Sequence, residues 1–463
     1  MITKDSSLRL TIGLSIIFII AHFIAAMILC RERLFLDASY YFFHVVNEEA
    51  FRVEHQRFIL AVSQILLLAG VKCHFGLPAL LALYSVTPVI FSAILIFVSL
   101  YLFKSESAAL LIILSHICGT YYLYYCPMYE VCYAVIIFGF LCLLTSRNYY
   151  KSGWQMFLYF LALIICLFAY PLLAYGCIVL LLYHLVTAQK ISYRLVLIYL
   201  LAFALWFVIK SMFISDYEKG KISIPVTEYP DIFRKIISPA FIVSALKFLW
   251  MHYREPILTF AVFLILMLRQ KRYMVFVLAA LSISFFVGMV NFGYRGDGLI
   301  HSNNFERMYL LLVPLCFAPF LYIIYPRLSG TLKIFCVVCV GIIAAYKSYG
   351  QWEHSTYYTS RLWLINDMAS GCIKQGCDKG AVDWDHLPHS LDEWSTGMEA
   401  LIYSSENGRS CIISDSTMTA VLQTKGQLDQ DHFVLRLNEV MDIHELNQQY
   451  FRLDRSPYCR VKD

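Results

Sequence analysis

Apolar runs of about 20 residues recur through the first 350 positions of this 463-residue chain. A run of that length is what an α-helix needs to cross ~30 Å of hydrocarbon, where every backbone N–H and C=O must be satisfied within the segment. Composition agrees. The chain is 60% hydrophobic and only 15% charged, against roughly 25% charged in soluble domains, and its mean hydropathy is +0.64. The runs predict spans at 10–30, 79–103, 108–126, 129–146, 154–170, 171–188, 193–214, 256–269, 272–292, 308–325 and 331–350. The first run lacks a small-residue cleavage site and reads as an uncleaved span rather than a signal peptide. The stretch 58–71 has about 14 residues and reads as an interfacial or re-entrant helix.

Loop charge supplies the sidedness. Lys104, Arg147 with Lys151, Lys190 with Arg194, Arg269 with Lys271 and Arg272, and Arg327 with Lys333 mark turns that fall on one side, assigned as cytoplasmic because short inner loops carry the Lys/Arg excess. The outer face then receives loops 31–78, 215–255 and 293–307. The amphipathic part of 215–255 is expected to lie in the interface, anchored by Trp250 and Tyr253; Lys219 and Lys221 face anions or solvent. The expected class is an all-α polytopic membrane protein of about eleven spans plus interfacial helices, residues 1–350. A small α/β or α+β extracytoplasmic domain follows at 351–463. That tail carries ten Lys and Arg against seventeen Asp and Glu. It is expected to hold a helix at 391–405, a strand starting at 410–413, and one or two disulfides among Cys372, Cys377, Cys411 and Cys459, pairing Cys372 with Cys377 or Cys411 with Cys459. A zinc site is the rival use of those thiols. Such a chain fits a bacterial inner membrane with the site and tail in the periplasm.

Polar residues at the outer face are the candidates for chemistry, because charge at a membrane is costly. The segment 37–57, DASYYFFHVVNEEAFRVEHQR, holds one Asp, three Glu, two Arg and two His. Asp37 is either a helix N-cap or a general base whose proton affinity rises at low dielectric. Glu48 and Arg52 are spaced i,i+4 as a surface pair, while Arg52, His55 and Arg57 offer contacts to a lipid phosphate. Glu130 is the only acid between Glu106 and Asp216; it is a second catalytic carboxylate or a solvated turn residue. Arg295, His301 and Arg307 lie in or beside the loop 293–307. Arg307 either grips a phosphate bidentately, or snorkels and pairs with Glu306. No Walker sequence, GxSxG, HExxH or GxGxxG occurs, so soluble nucleotide-driven and metalloprotease chemistry have no support, and nothing points to nucleic acid.

This order of features resembles the GT-C glycosyltransferases, polytopic enzymes that use polyprenyl-phosphate sugars. Asp37 follows the first span in a long outer loop, and HQRF at 55–58 precedes a short helix, without the double proline common in the family. Glu130 in PMYE and Arg307 in FERMYLLLVP stand where that family places a second acid and an arginine. The resemblance covers about 1–350. It implies transfer of a sugar to an acceptor hydroxyl, of inverting type. Asp37 would act as base, Glu130 would hold the acceptor or a divalent metal (Mg or Mn), and Arg307 with Arg295 or His301 would neutralise the leaving phosphate. Partners would be the lipid-linked donor, an acceptor glycan, lipid or protein, and membrane lipids. The alternatives are a lipid-linked glycan flippase or transporter, or a non-catalytic assembly subunit.

Overall fold

The structure is a computed structural model that describes residues 4–188, 192–213, 226–293, 302–383, 391, 394–436 and 439–460. Helices α1 (Lys4–Ile28), α2 (Asp37–Glu48), α3 (Ile59–Lys72), α4 (Leu77–Phe97), α5 (Glu106–Ile117), α6 (Glu130–Ser146), α7 (Gly153–Ala169), α8 (Leu172–Thr187) and α9 (Tyr193–Phe213) build its first half. Seven described helices are long and apolar enough to cross a membrane. They comprise α1, α4 with its extension to Leu102, α9, Pro239–Arg269, Tyr273–Gly293, Asn304–Arg327 and Gly330–Lys374. Ten of the eleven expected segments fall largely on helix, the expected span 108–126 stops being α-helical at Ile117, and α5 to α8 have only 12, 17, 17 and 16 residues. At 1.5 Å per residue α5 reaches only about 18 Å. It is nearly all buried, so the core of the bundle accepts a helix shorter than the bilayer. Helix α3, with 14 residues, is also too short to span, and it packs along α4.

The positive turns converge. The Arg147 guanidinium donates to the carbonyls of Phe103 and Lys104 at 3.2 and 3.4 Å, and Arg194 donates to the Lys151 carbonyl. At this end Glu106 accepts from Ser7 and Tyr325. The opposite end carries α2 and the tail.

Two boundaries differ from expectation. The helix Pro239–Arg269 runs through the residues expected to lie in the interface, with a break at Tyr253 (φ −126°) three residues before Pro256. Tyr253 is wholly buried and donates to the Glu306 carbonyl at 3.0 Å, so it is a core residue and not a membrane anchor. Trp250 is exposed. The last span does not stop near 350: Gly330–Lys374 is one 45-residue helix, about 68 Å long. It carries the chain rigidly out of the apolar bundle into the tail.

The tail holds a parallel three-stranded sheet in the order β2-β1-β5, from β1 (Lys379–Val382), β2 (Ile412–Asp415) and β5 (Cys459–Arg460). A hairpin of β3 (His432–Arg436) and β4 (Glu439–Asp442) stands beside it. The helix Thr396–Glu406 packs on β2. Gly397 lies against it so closely that a Cβ there would stand 2.7 Å from the Ile413 carbonyl oxygen. The expected helix and strand are therefore present, each shifted toward the C-terminus. The disulfide is Cys377–Cys459, neither of the expected pairs. It ties the start of the sheet to its end. Cys372 and Cys411 are buried free thiols, and Cys411 Sγ donates to the Ile412 carbonyl at 3.8 Å.

Candidate active site

The site is built around the buried turn 118–129 that joins α5 to α6. Gly119 has φ +69°, and a Cβ there would lie 2.5 Å from the Tyr253 ring, so only glycine fits. Fully buried Glu306 receives the backbone N–H groups of Tyr121, Tyr122 and Leu123 at 3.1, 2.7 and 3.0 Å, together with the His252 ring at 2.9 Å. Buried Arg33 donates to the carbonyls of Tyr124 and Ser85 at 2.8 and 2.7 Å. Gln351 donates to Thr120, and Tyr125 donates to the Gln351 carbonyl. These bonds satisfy a turn that would otherwise leave backbone groups unpaired in the protein interior. They fix Tyr129 and Glu130 at the start of α6. Glu306 is thus a structural carboxylate, and the expected pairing of Arg307 with Glu306 is overturned.

Arg307 turns instead toward Asp37. Its guanidinium lies 3.6 Å from Asp37 Oδ2 and over the Tyr129 ring at 5.2 Å. Glu130, 3% exposed, is ion-paired with Arg57, whose guanidinium also faces the Tyr170 ring at 5.6 Å. Glu130 and Arg307 both act electrostatically on Asp37. The four side chains form an alternating series, Arg57, Glu130, Arg307, Asp37, drawn from positions up to 270 residues apart in the chain. Alternation lets four charges share one recess at the edge of the bundle, since each is flanked by its opposite.

Asp37 is the first residue of α2, with Leu36 as N-cap, and its side chain makes no capping bond. The cap reading is overturned. Its Oδ1 accepts from the Trp394 indole N–H at 2.9 Å. The Asp37 side chain keeps 29% of its surface accessible although protein crowds it on most sides, which describes a recess and not an open face. Burial is the largest influence on its carboxyl and pushes the pKa up. Glu130 and Glu54 push the same way, and Arg307 and the Trp394 N–H pull it down without reversing the rise.

A second polar layer lies beside the recess. Glu54 accepts from the Tyr40 and Tyr41 hydroxyls at 2.7 and 3.3 Å and pairs with Arg52 at 3.4 Å. Burial pushes the Glu54 carboxyl up, but the Tyr40 hydroxyl and Arg52 outweigh it and leave the pKa low. Arg52 also donates to Tyr40 and contacts Glu48 at 3.5 Å. Arg436 from the tail stacks on the rings of Tyr40 and Trp394, at 4.0 and 4.1 Å. His55 has φ +53°, and its carbonyl accepts from Lys210 at 2.9 Å.

The structure therefore brings Asp37, Glu130, Arg57 and Arg307 together. Arg52 stands one layer away, held by Glu48 and Glu54. Arg295 and His301, like Lys190, Lys219 and Lys221, lie outside the described residues. Trp394 and Arg436 have no signal in the sequence, because nothing local says that a tail residue 357 positions later reaches Asp37. Tyr129 and Tyr170 flank the arginines and read in the sequence only as aromatic residues at span ends. Among the described residues no group of three or more His, Cys, Asp or Glu side chains gathers as a metal site. No protein-family model matches the chain, and no curated protein or solved structure matches it either.

Proposed function

We propose that this protein is a membrane glycosyltransferase that moves a sugar from a polyprenyl-phosphate donor to an acceptor hydroxyl at the outer membrane face. The observation that carries the reading is the 3.6 Å approach of Arg307 to Asp37, with Glu130 in the same recess. It sets a proton acceptor beside a phosphate-binding cation at the end of the bundle away from the positive turns.

In this reading Asp37 takes the proton of the acceptor hydroxyl as its oxygen attacks the anomeric carbon. The bond from that carbon to the phosphate oxygen breaks, the electron pair leaves with the lipid phosphate, and the sugar inverts. Arg307 meets the charge that develops on the phosphate. A raised proton affinity suits Asp37 to this task, since a base works best with a pKa closer to the operating pH. Glu130 serves differently from a free base. It is held by Arg57, so its part is to place Arg307. Trp394 holds the Asp37 carboxylate through Oδ1 and leaves Oδ2 toward Arg307.

The test is consumption of polyprenyl-phosphate sugars, supplied as a panel to purified protein in detergent or nanodiscs. One donor is expected to be consumed, and Asp37→Asn is expected to abolish the turnover while the protein stays folded. Consumption by Asp37→Asn at the parent rate would remove the base assignment.

A further inference from the structure

At the other end of the bundle lies a cavity of about 1410 Å³, lined by α6, α8, the helix Tyr273–Gly293, the segment 314–323 and the positive turns. It is larger than the roughly 300–1,000 Å³ of ordinary small-molecule sites. Glu130 opens α6, whereas the cavity borders that helix only from Phe138 onward, about 12 Å further along, and its cations lie beyond the helix's far end, so the two sites are distinct.

Its lining is divided by chemistry. Lys151, Arg194 at the start of α9, Lys271, Arg272 and Arg327 border it, and among the described residues no Asp or Glu contributes to its wall. Among the described residues none of these five cations forms an ion pair with a carboxylate. Four of the five are exposed, so they form the mouth of the cavity, where like charges repel one another and an anion is attracted. Deeper in, buried Tyr150 offers a hydroxyl shared with Asn148 at 2.7 Å and His184 at 2.9 Å. The remaining depth is apolar, with Phe138, Val179 and Leu315 among its walls.

We propose that this cavity binds a lipid with a phosphate head group, the phosphate among the five cations and an acyl chain against the apolar wall. A soluble anion would use the cations and leave the apolar depth unfilled; a neutral lipid would leave the cations unanswered. Basic pockets between spans are a general mode of anionic-lipid recognition. The inference does not depend on the transfer reaction at the opposite end.

The experiment is native mass spectrometry and thermal unfolding of the full chain in detergent. The added probes are dioleoyl phosphatidylglycerol, dioleoyl phosphatidylcholine or inorganic phosphate. Phosphatidylglycerol is expected to bind and to raise the unfolding temperature, with phosphatidylcholine binding far more weakly. Arg272→Gln/Arg327→Gln is expected to weaken phosphatidylglycerol binding roughly tenfold or more, as two cations near an anionic head group imply. It should leave lipid-free unfolding unchanged, since Arg327 is exposed and neither residue forms an ion pair. Ala318→Phe, which fills the cavity without touching a charge, should also abolish binding. If that variant fails to fold, the arginine pair alone decides the matter. Equal binding of the two lipids, or unchanged phosphatidylglycerol binding in the double variant, would overturn the proposal. Protection by inorganic phosphate equal to that by phosphatidylglycerol would reassign the site to a soluble phosphate and overturn it as a lipid site.

Discussion

Glu130→Gln tests whether the recess is held by alternating charge. Glu130 is 3% exposed and Arg57 13% exposed, so water screens their pair poorly. Arg307, 15% exposed, also faces this carboxylate. Removing the carboxylate charge leaves Arg57 and Arg307 confronting each other, with Asp37 alone to offset them. Breaking a buried pair by neutralising one partner costs about 3–5 kcal/mol. The partial exposure of both arginines argues for about 3 kcal/mol, the low end of that range. In a chain longer than 250 residues such a loss lowers the unfolding temperature by on the order of 5 °C. Arg57→Met should cost less, because Glu130 keeps Arg307. Arg57→Met combined with Glu130→Leu should recover much of the loss, since an apolar replacement of both partners leaves no buried charge unpaired. Buried thiols such as Cys118, Cys142, Cys166 and Cys316 supply the assay, since a thiol-reactive fluorophore reports their exposure on heating. If Glu130→Gln melts within about 1 °C of the parent, against the loss expected for a buried pair, Glu130 is not the hub of the charge series. Strict additivity of the two substitutions would refute the coupling as well.

Further expectations follow from other parts of the site. Because burial raises the Asp37 pKa from its ordinary value, the acid limb of kcat/KM should lie higher than an unshifted aspartate would set it, activity falling as pH drops through it. The same sign means that folding favours the protonated carboxyl, so the stability contribution is present at low pH and lost as pH rises through the folded-state pKa; Asp37→Asn should therefore not lower the unfolding temperature at neutral pH. Trp394→Phe keeps a ring under Arg436 and deletes the N–H to Asp37. The loss of about 1 kcal/mol per hydrogen bond predicts roughly a fivefold fall in kcat with unfolding little changed; an unaltered kcat would deny the tail a part in the site. Gly119→Ala meets both a left-handed backbone and the Tyr253 ring, and a cost of about 1–3 kcal/mol should appear as a lower unfolding temperature. Reducing Cys377–Cys459, which closes 82 residues, removes up to about 4.5 kcal/mol in the chain-entropy account. Proteolysis should then cut the tail before the bundle.

What the sequence determined by itself is whatever depends on one segment meeting a uniform solvent. Hydrocarbon demands long apolar helices whoever their neighbours are, so seven of the apolar runs appear as helices long enough to cross a membrane. Charge bias in short turns likewise picks out the end where Arg147, Lys151 and Arg194 meet. The expected order of Asp37, Glu130 and Arg307 was readable because isolated charges stand out in an apolar chain. Tertiary structure decided the rest, where the partner is remote. Helix length did not reveal that α5 is enclosed by other helices and so need not match the bilayer. Adjacency suggested Glu306 as the partner of Arg307, yet Glu306 is drawn to three backbone N–H groups of a turn some 180 residues earlier. The even number of tail cysteines suggested Cys372 with Cys377 or Cys411 with Cys459, whereas the parallel sheet sets Cys377 beside Cys459. Trp394 bonds to Asp37 only because one unbroken 45-residue helix brings the tail back over α2. A side chain's energy depends on what surrounds it, and for Asp37 those surroundings come from three distant parts of the chain, at Glu130, Arg307 and Trp394.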